Sequence, residues 1–307
     1  MKITNNHNLP EVILDWISNA NKERQRQLDQ GDFTVTQLLS NPKEQYLLHM
    51  HPEIEIDASR YIALLSGEAW HTGIAANSTN RRFHGALVEK RFSTKYHGWK
   101  ITGQPDVIDN GYLIDFKEST VGRFKSRVPQ EYENQLNCYH YILSHNGIHP
   151  KFMGIWVKYK DYMPSRAGTN HYPDAQMEYF SVPIWDYNQQ DEFIQDRLEK
   201  HLSWNPNDEL HINRWGCSNE DRWYAGEIFA VMKKGGKRSL HNADTRRAAQ
   251  EWIDSDNTKV KKNLLTIEHR PGVYRKCENY CFASTVCTQY NEPLGESNEG
   301  STPRSES

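Results

Sequence analysis

The chain has 307 residues, enough for one large domain or two modest ones at ~100 to 200 residues each. Aromatic residues reach 11%, with nine Trp and sixteen Tyr, which excludes a disordered chain, and a net charge of -3 excludes the uniformly basic composition of a histone-like binder. The longest apolar runs, such as Tyr61 to Leu65, are far short of the ~20 residues that span a bilayer, so no transmembrane helix is expected. The Asn-rich start, Met1 to Asn8, has no signal-peptide character, so a cytoplasmic protein with five reduced cysteines is expected.

Residues Pro10 to Leu28 read as a helix ending before Gly31. Asp57 is a suitable N-cap for a second helix running to about Asn77, in which Leu64, Gly67 and His71 share a face. From Leu87 to Lys117 the pattern changes to short alternating segments broken at His97-Gly98 and at Asp109-Asn110-Gly111, which predicts a three-stranded meander. Pro129 sits at the first turn of a helix that continues to Gly147, a C-terminal cap. Strands are expected at about Phe152 to Tyr159 and Glu178 to Ile184. This order makes an α/β fold. Residues 1–56 read as a helical N-terminal segment, 57–200 as the core, 201–290 as a cysteine-bearing C-terminal region, and 291–307 as a disordered tail rich in Gly, Ser, Glu and Pro.

Asn110-Gly111 is among the strongest two-residue hairpin signals, and a tight turn there sets opposite each other residues whose numbers sum to 221. Asp106 then faces Asp115, and Gln104 faces Lys117. By alternation, one face carries Val107, Tyr112, Ile114 and Phe116 and is read as the core; the other carries Gln104, Asp106, Asp115 and Lys117. Opposed carboxylates are destabilising as a bare pair and call for a cation between them, for which a divalent metal with oxygen ligands is the natural candidate. Lys117 adds a fixed positive charge beside it, placed to hold a water or to stabilise charge on a phosphate oxygen. A solvated hairpin face is the bland alternative, but Asp115-Phe116-Lys117 is the chain's only acidic-x-Lys triplet.

With Gly103-Gln104-Pro105-Asp106 followed by Ile114-Asp115-Phe116-Lys117, the chain resembles the PD-(D/E)XK nuclease superfamily. Two flanking motifs narrow the resemblance to its RecB-like exonucleases: Gly67-Glu68-Ala69-Trp70-His71 before the strands and Gln135-Leu136-Asn137-Cys138-Tyr139 after them, each the sole match to its pattern. The resemblance covers about residues 60 to 160 and implies a restriction-endonuclease-like core, a central mixed sheet flanked by helices. It further implies that His71, Asp106, Asp115 and the Phe116 carbonyl bind Mg²⁺ or Mn²⁺, that Lys117 assists the attacking water, and that Gln135 and Tyr139 sit beside the site to orient Lys117 or the DNA. Glu89 is a possible further ligand, weighed against a solvated strand-edge Glu.

Cys277, Cys281 and Cys287 lie within eleven residues and read as a metal site. RecB-like nucleases of the AddB and CRISPR-adaptation type carry a C-terminal cysteine trio completed by one upstream cysteine around a [4Fe–4S] cluster, which the resemblance implies here. Two departures stand out: the first gap is three residues rather than two, and no cysteine precedes Cys138, with none around Asn41-Pro42-Lys43. Cys217 is the best fourth ligand, and Cys138 reads as packing. A Zn²⁺ site of three cysteines and a histidine such as His269 is the alternative.

No G-x4-GK[ST] loop occurs, Gly235-Gly236-Lys237 reading as a turn, so no ATP-driven helicase activity is expected of this chain. A separate helicase or recombinase is a conceivable partner, and no membrane is. Trp70, Trp99, Tyr96 and Tyr132 are candidates for stacking on bases, although most Trp will be core. The expected function is a metal-dependent deoxyribonuclease, an exonuclease acting on single- or double-stranded DNA ends in recombination, repair or phage DNA metabolism; the rival is a catalytically silent DNA-binding protein of the same fold. Residues 71–128 hold ten basic against five acidic residues, so the whole-chain charge averages a basic stretch with acidic surroundings.

Overall fold

The computed structural model describes residues 2–28, 31–78, 85–124, 127–169, 172–203, 216–255 and 258–291, with backbone only for 23–28 and 78. The expected disordered tail lies outside them from residue 292, as do Arg81, Arg82 and Lys125 of the basic stretch. The protein is mixed α/β and divides into two compact units, Met1–His211 and Ile212–Ser307. No helix among the described residues is long and apolar enough to cross a membrane.

In the first unit, α1 (Glu11–Leu28) is followed by β2 (Phe33–Thr34), where Thr34 and Gln37 form a capping box that starts α2 (Val35–Leu39). Asn41 caps α3 (Pro42–Met50), its Oδ1 accepting from Lys43 N at 2.9 Å. β1 (Lys2–Thr4) pairs in parallel with β3 (Glu55–Asp57), and Asp57 caps a short 3₁₀ turn, Ala58–Tyr61, that runs into α4 (Ile62–Ser78); α5 (Val121–Phe124) and α7 (Tyr187–Leu202) come later in the unit.

The stretch expected to be one meander is divided between two sheets. β5 (Phe92–Tyr96) and β6 (Trp99–Gly103) form an antiparallel hairpin that, with β2, makes a three-stranded sheet of order β2-β6-β5. β4 (Leu87–Val88), β7 (Val107–Asp109) and β8 (Tyr112–Ser119) join β9 (Phe152–Tyr159) and β10 (Met177–Val182) in a five-stranded sheet of order β10-β9-β8-β7-β4. The chain crosses between sheets at Gln104-Pro105-Asp106. Pro105 has no N–H to give to a ladder, and it restricts the residue before it.

The Asn110-Gly111 turn forms as read. Both residues have positive φ, 47° and 82°, as a type I′ turn requires, and the register Val107↔Ile114, Ile108↔Leu113, Asp109↔Tyr112 follows the expected pairing. The ladder stops at Val107, however, so Gln104 does not face Lys117 across it. The burial is also the reverse of the expectation: Ile108, Leu113 and Asp115 are buried, whereas Tyr112 is exposed and Val107, Ile114 and Phe116 are half-buried. The reason is α6 (Gln130–Ser144), the crossover helix between the parallel strands β8 and β9, whose Leu136, Tyr139, Ile142 and Leu143 join Ile108 and Leu113 in the core. The carboxylates therefore share the apolar face.

Gly103, the last residue of β6, lies against this helix. A Cβ there would come 2.8 Å from Tyr139 Cδ1, closer than carbon atoms pack. Gly103→Ala is expected to cost about 1–3 kcal/mol in urea unfolding, as overpacking does. Gly67→Ala, mid-helix in α4 with nothing within 4 Å of its Cβ, is expected to gain up to about 1 kcal/mol.

The second unit begins near Cys217 and is stitched by antiparallel pairing of β11 (Tyr224–Ala225) with β15 (Val273–Tyr274). Between them β12 (Ile228–Lys233), β13 (Ser239–Ala243) and β14 (Leu265–Arg270) form an antiparallel sheet of order β13-β12-β14. Its small core joins Val231, Ala243 and Leu265 to Ala249 and Ile253 of α8 (Arg246–Asp254), a helix N-capped by Thr245. Gly235-Gly236 is a turn, with Gly236 N donating to Lys233 O at 2.7 Å.

Candidate metal centre

Three ligand atoms converge in the first unit. His71 on α4, Glu89 just beyond β4 and Asp106 just before β7 each bring one within 4.8 Å of the others. His71 Nδ1 is 3.2 Å from Asp106 Oδ1 and 3.6 Å from Glu89 Oε1. Glu89 is a non-glycine residue with a φ of 48°, a strained conformation that costs on the order of 1–3 kcal/mol and clusters at functional sites. Its amide donates to Asp106 O at 2.9 Å, which ties two of the three ligands together through the backbone. Beyond it, Gln104 bridges Glu89 Oε2 and an Arg91 guanidinium N–H, each at 2.7 Å. Asp106 is held from the other side, its Oδ2 accepting from Phe116 N at 2.6 Å.

Asp115 and Lys117, on β8, feel the charge of Asp106, but the expected ligand Asp115 is not among the three residues that gather. Lys117 Nζ is 2.6 Å from Asp115 Oδ2, and that oxygen, fully buried, makes no hydrogen bond of proper geometry. Asp115 is 2% exposed and Asp106 7%. Burial raises the pKa of Asp115, against the opposing pull of Lys117. Burial alone would lower that of Lys117, but Asp115 and Asp106 together hold it above its ordinary value. The hydrogen bond to Asp106, then that to Glu89, raises His71 to about 10, so without metal the imidazole is itself the cation between two carboxylates. A site that gathers hard oxygen donors and one imidazole has the donor set a divalent cation needs.

The remaining expected residues fall as follows. Gln135 Nε2 donates to Tyr139 Oη at 2.9 Å. Tyr139 is buried, its pKa raised by that burial and next by the negative charges of Asp115 and Asp106, so the pair lies behind the carboxylates. Lys117 instead meets Tyr132, its Nζ 5.3 Å from the ring centroid, a cation–π contact. Phe116 contributes its amide to Asp106, as above. Of the four stacking candidates, Tyr96 is a core residue whose hydroxyl donates to Asp191 Oδ2 at 3.2 Å. Trp99 is exposed and packs edge-on against Phe33. Lys158 lies 4.7 Å over Trp70.

Sequence reasoning gave no role to Arg91 and no link between Gln104 and Glu89, since neither belongs to a motif. Glu89 had one available signal: it stands beside Lys90-Arg91 at the end of a two-residue strand, where an edge carboxylate would be neutralised locally.

The five cysteines form no disulfide. Cys138 is packed in the core of the first unit, and burial pushes its thiol up to about 12, so it is a hydrophobic residue here. In the second unit Cys217 lies beside the trio: its N donates to Gln289 Oε1 at 3.0 Å and its O accepts from Gln289 Nε2 at 2.9 Å, two residues beyond Cys287. Among the described residues, no three of these cysteines gather ligand atoms as closely as the His71 group does. His269 is on β14, its Nε2 2.8 Å from Glu227 Oε2 and its ring stacked on Phe229.

No family model matches the sequence, and no curated protein matches it. Among solved structures, SSO0001 is 15% identical, over 64% of this chain and 88% of that one, with a TM-score of 0.46. A protein described as "Putative exonuclease", from Eubacterium rectale, is 14% identical over 52% of this chain and 61% of that one, with a TM-score of 0.24. Superpositions this distant carry no weight for the chemistry, which rests on the residues themselves.

Mn²⁺ is expected to raise the unfolding temperature of the protein in the manner of a ligand that binds only the native state, by about 2.7 kcal/mol of stability at a hundred times Kd. Asp106→Asn keeps an oxygen for the Phe116 amide and removes a ligand charge; calorimetry should find it folded but insensitive to Mn²⁺.

Proposed function

We propose that the chain is a metal-dependent nuclease of the PD-(D/E)XK, RecB-like kind, built on a restriction-endonuclease-like core and acting on DNA ends. The observation that carries this reading is the convergence of His71, Glu89 and Asp106 beside the buried Asp115–Lys117 pair. His71, Glu89, Asp106 and Asp115, with the Phe116 carbonyl, would hold the Mg²⁺ or Mn²⁺ ion. Such an ion, when bound, neutralises phosphate charge and lowers the pKa of a water.

Each of the chain's own groups has a task in that chemistry. Lys117, kept cationic by Asp115 and Asp106, is suited to orient the attacking water and to stabilise negative charge on the scissile phosphate. Tyr132 restrains the ammonium in position. Gln135 and Tyr139 back the carboxylates and limit water around them. The Phe116 amide fixes Asp106 so that its other oxygen is free to serve as a ligand.

The surroundings suit a phosphate backbone. Lys95 and Lys100 are directly opposed on the β5–β6 hairpin, an arrangement that is destabilising without an anion. Beside them, Arg91, Phe92, Ser93, Lys100 and Thr102 line an open groove of about 390 Å³. Arg91 connects this groove to the metal ligands through Gln104.

Two experiments test the reading. Purified Asp115→Ala and Lys117→Ala proteins should lose metal-dependent degradation of linear DNA while circular dichroism shows the fold intact; full activity in either variant overturns the assignment, and degradation of closed circles overturns end-dependence. At the cysteines, we propose a [4Fe–4S] cluster held by Cys217, Cys277, Cys281 and Cys287. A single Zn²⁺ would need the sulfurs crowded at ~2.3 Å around one ion, whereas a cubane spreads them more widely. Anaerobically purified protein should therefore be brown and contain iron and sulfide; colourless, zinc-bearing protein rejects the cluster.

A further inference from the structure

The β12–β14 module of the second unit carries a charge pattern that the candidate metal centre does not explain. Residues 228–270 contain ten basic and five acidic residues, and seven of the basic ones gather at one end of the sheet. Lys233, Lys234, Lys237 and Arg238 occupy the turn from β12 into β13, and Lys259, Lys261 and Lys262 the segment that feeds β14. The register brings both groups to one end: Lys233 pairs with Leu265, Lys234 N donates to Leu264 O at 2.8 Å, and Leu264 N donates to Lys261 O at 2.9 Å. All seven side chains are exposed.

Asp254 adjoins this end, its backbone O accepting from Lys262 Nζ at 2.7 Å, and the carboxylates of the strands themselves stand at the other end. Ile228 pairs with Arg270 at the other end of the sheet, where Glu227 engages His269 and Glu268 engages Arg270. Six residues of a strand separate the two ends by roughly 20 Å. Among the described residues, no carboxylate pairs with Lys233, Lys234, Lys237, Arg238, Lys259 or Lys261. Like charges massed in this way repel and destabilise the folded module, so the arrangement is favourable only when a polyanion neutralises it.

We infer that this end of the module is a docking surface for the phosphate backbone of nucleic acid. The cations are spread over three adjacent strands, roughly 10 Å across, which spans about six phosphates of a duplex at one per ~1.7 Å of helix axis. The turn tip suits a backbone contact, because Gly235 and Gly236 carry no side chain that would hold a backbone away from the lysines. Among the described residues of the turn and of the segment that feeds β14 none is aromatic, so they offer no anchor of the kind that dominates protein–protein interfaces. Its cations reach phosphates and read no bases, so binding is without sequence preference. Only the expectation that the nucleic acid is DNA rests on the nuclease reading.

The test is binding of labelled single- and double-stranded DNA in EDTA, where no cleavage occurs, across a salt series. For the quadruple variant Lys233→Gln/Lys234→Gln/Lys237→Gln/Arg238→Gln, the slope of log K against log salt should fall by about 3 to 4, at ~0.9 per duplex phosphate and ~0.7 per single-strand phosphate. Arg246→Gln/Arg247→Gln, at the start of α8, should change nothing. Lys259→Gln/Lys261→Gln is the second reading should the quadruple variant fold poorly, with an expected fall of about 1 to 2. An unchanged slope in the folded variants overturns the surface, as does a loss confined to phosphatidylserine vesicles or to an acidic peptide. Cleavage with Mn²⁺ separates the two readings: a falling slope with no cleavage by wild type sinks the nuclease and leaves the surface standing, and normal cleavage with an unchanged slope does the opposite.

Discussion

The first unit is organised around two carboxylates on an apolar face. Placing Asp115 and Asp106 on the same side of the β7–β8 hairpin as Ile108 and Leu113 means that α6, which must cover those residues, also strips water from the acids. A buried carboxylate without compensation is prohibitive, and breaking a buried ion pair costs about 3–5 kcal/mol. The rest of the site follows from that demand. Lys117 lies two residues along the same strand, where alternation returns it to Asp115. The Phe116 amide, at the point where the ladder has ended, is left to Asp106. His71 arrives from α4 with a proton. Each of these groups satisfies part of the charge.

That demand also accounts for Gly103 and Tyr139. The strand leading to the site must pass close to α6, and only a glycine allows the tyrosine ring to seat there. Tyr139 shields the carboxylates from water, and Gln135 satisfies its hydroxyl so that no buried donor is stranded. The Gln-x-x-x-Tyr spacing places both on one helix face, and through it the local sequence of a helix is matched to the charge on a strand.

Much of this was legible in the chain. A type I′ turn at Asn110-Gly111 is determined locally, so the register of β7 against β8 could be counted from it, and the start of α6 after Pro129 and the limits of β9 follow equally local rules, whereas α6 ends at Ser144, three residues before the expected Gly147. The division of the meander was not legible, because it depends on which sheet each strand joins, and alternation in a five-residue strand reads the same in either. Nor was the buried face: Val107, Tyr112, Ile114 and Phe116 are the more apolar set, yet the position of the crossover helix decides which side loses water. Glu89 could be named as a further ligand, but Arg91 and the link between them were hidden for a related reason, since both depend on a connection through Gln104 that forms only once Pro105 has moved the chain between sheets.

The pairing of β11 with β15 has a consequence for how such a chain can change. Tyr224 lies opposite Tyr274 and Ala225 opposite Val273, while Lys276 N reaches Arg222 O at 3.1 Å, so the polypeptide leaves and re-enters the cysteine-bearing segment at neighbouring points. Everything from β12 to β14 is therefore a cassette on a closed stem. It can lengthen, shrink or be exchanged for an unrelated one without moving Cys217 away from Cys277, Cys281 and Cys287. Descendants of this chain are free to acquire different surfaces there while the residues beneath the stem stay in register.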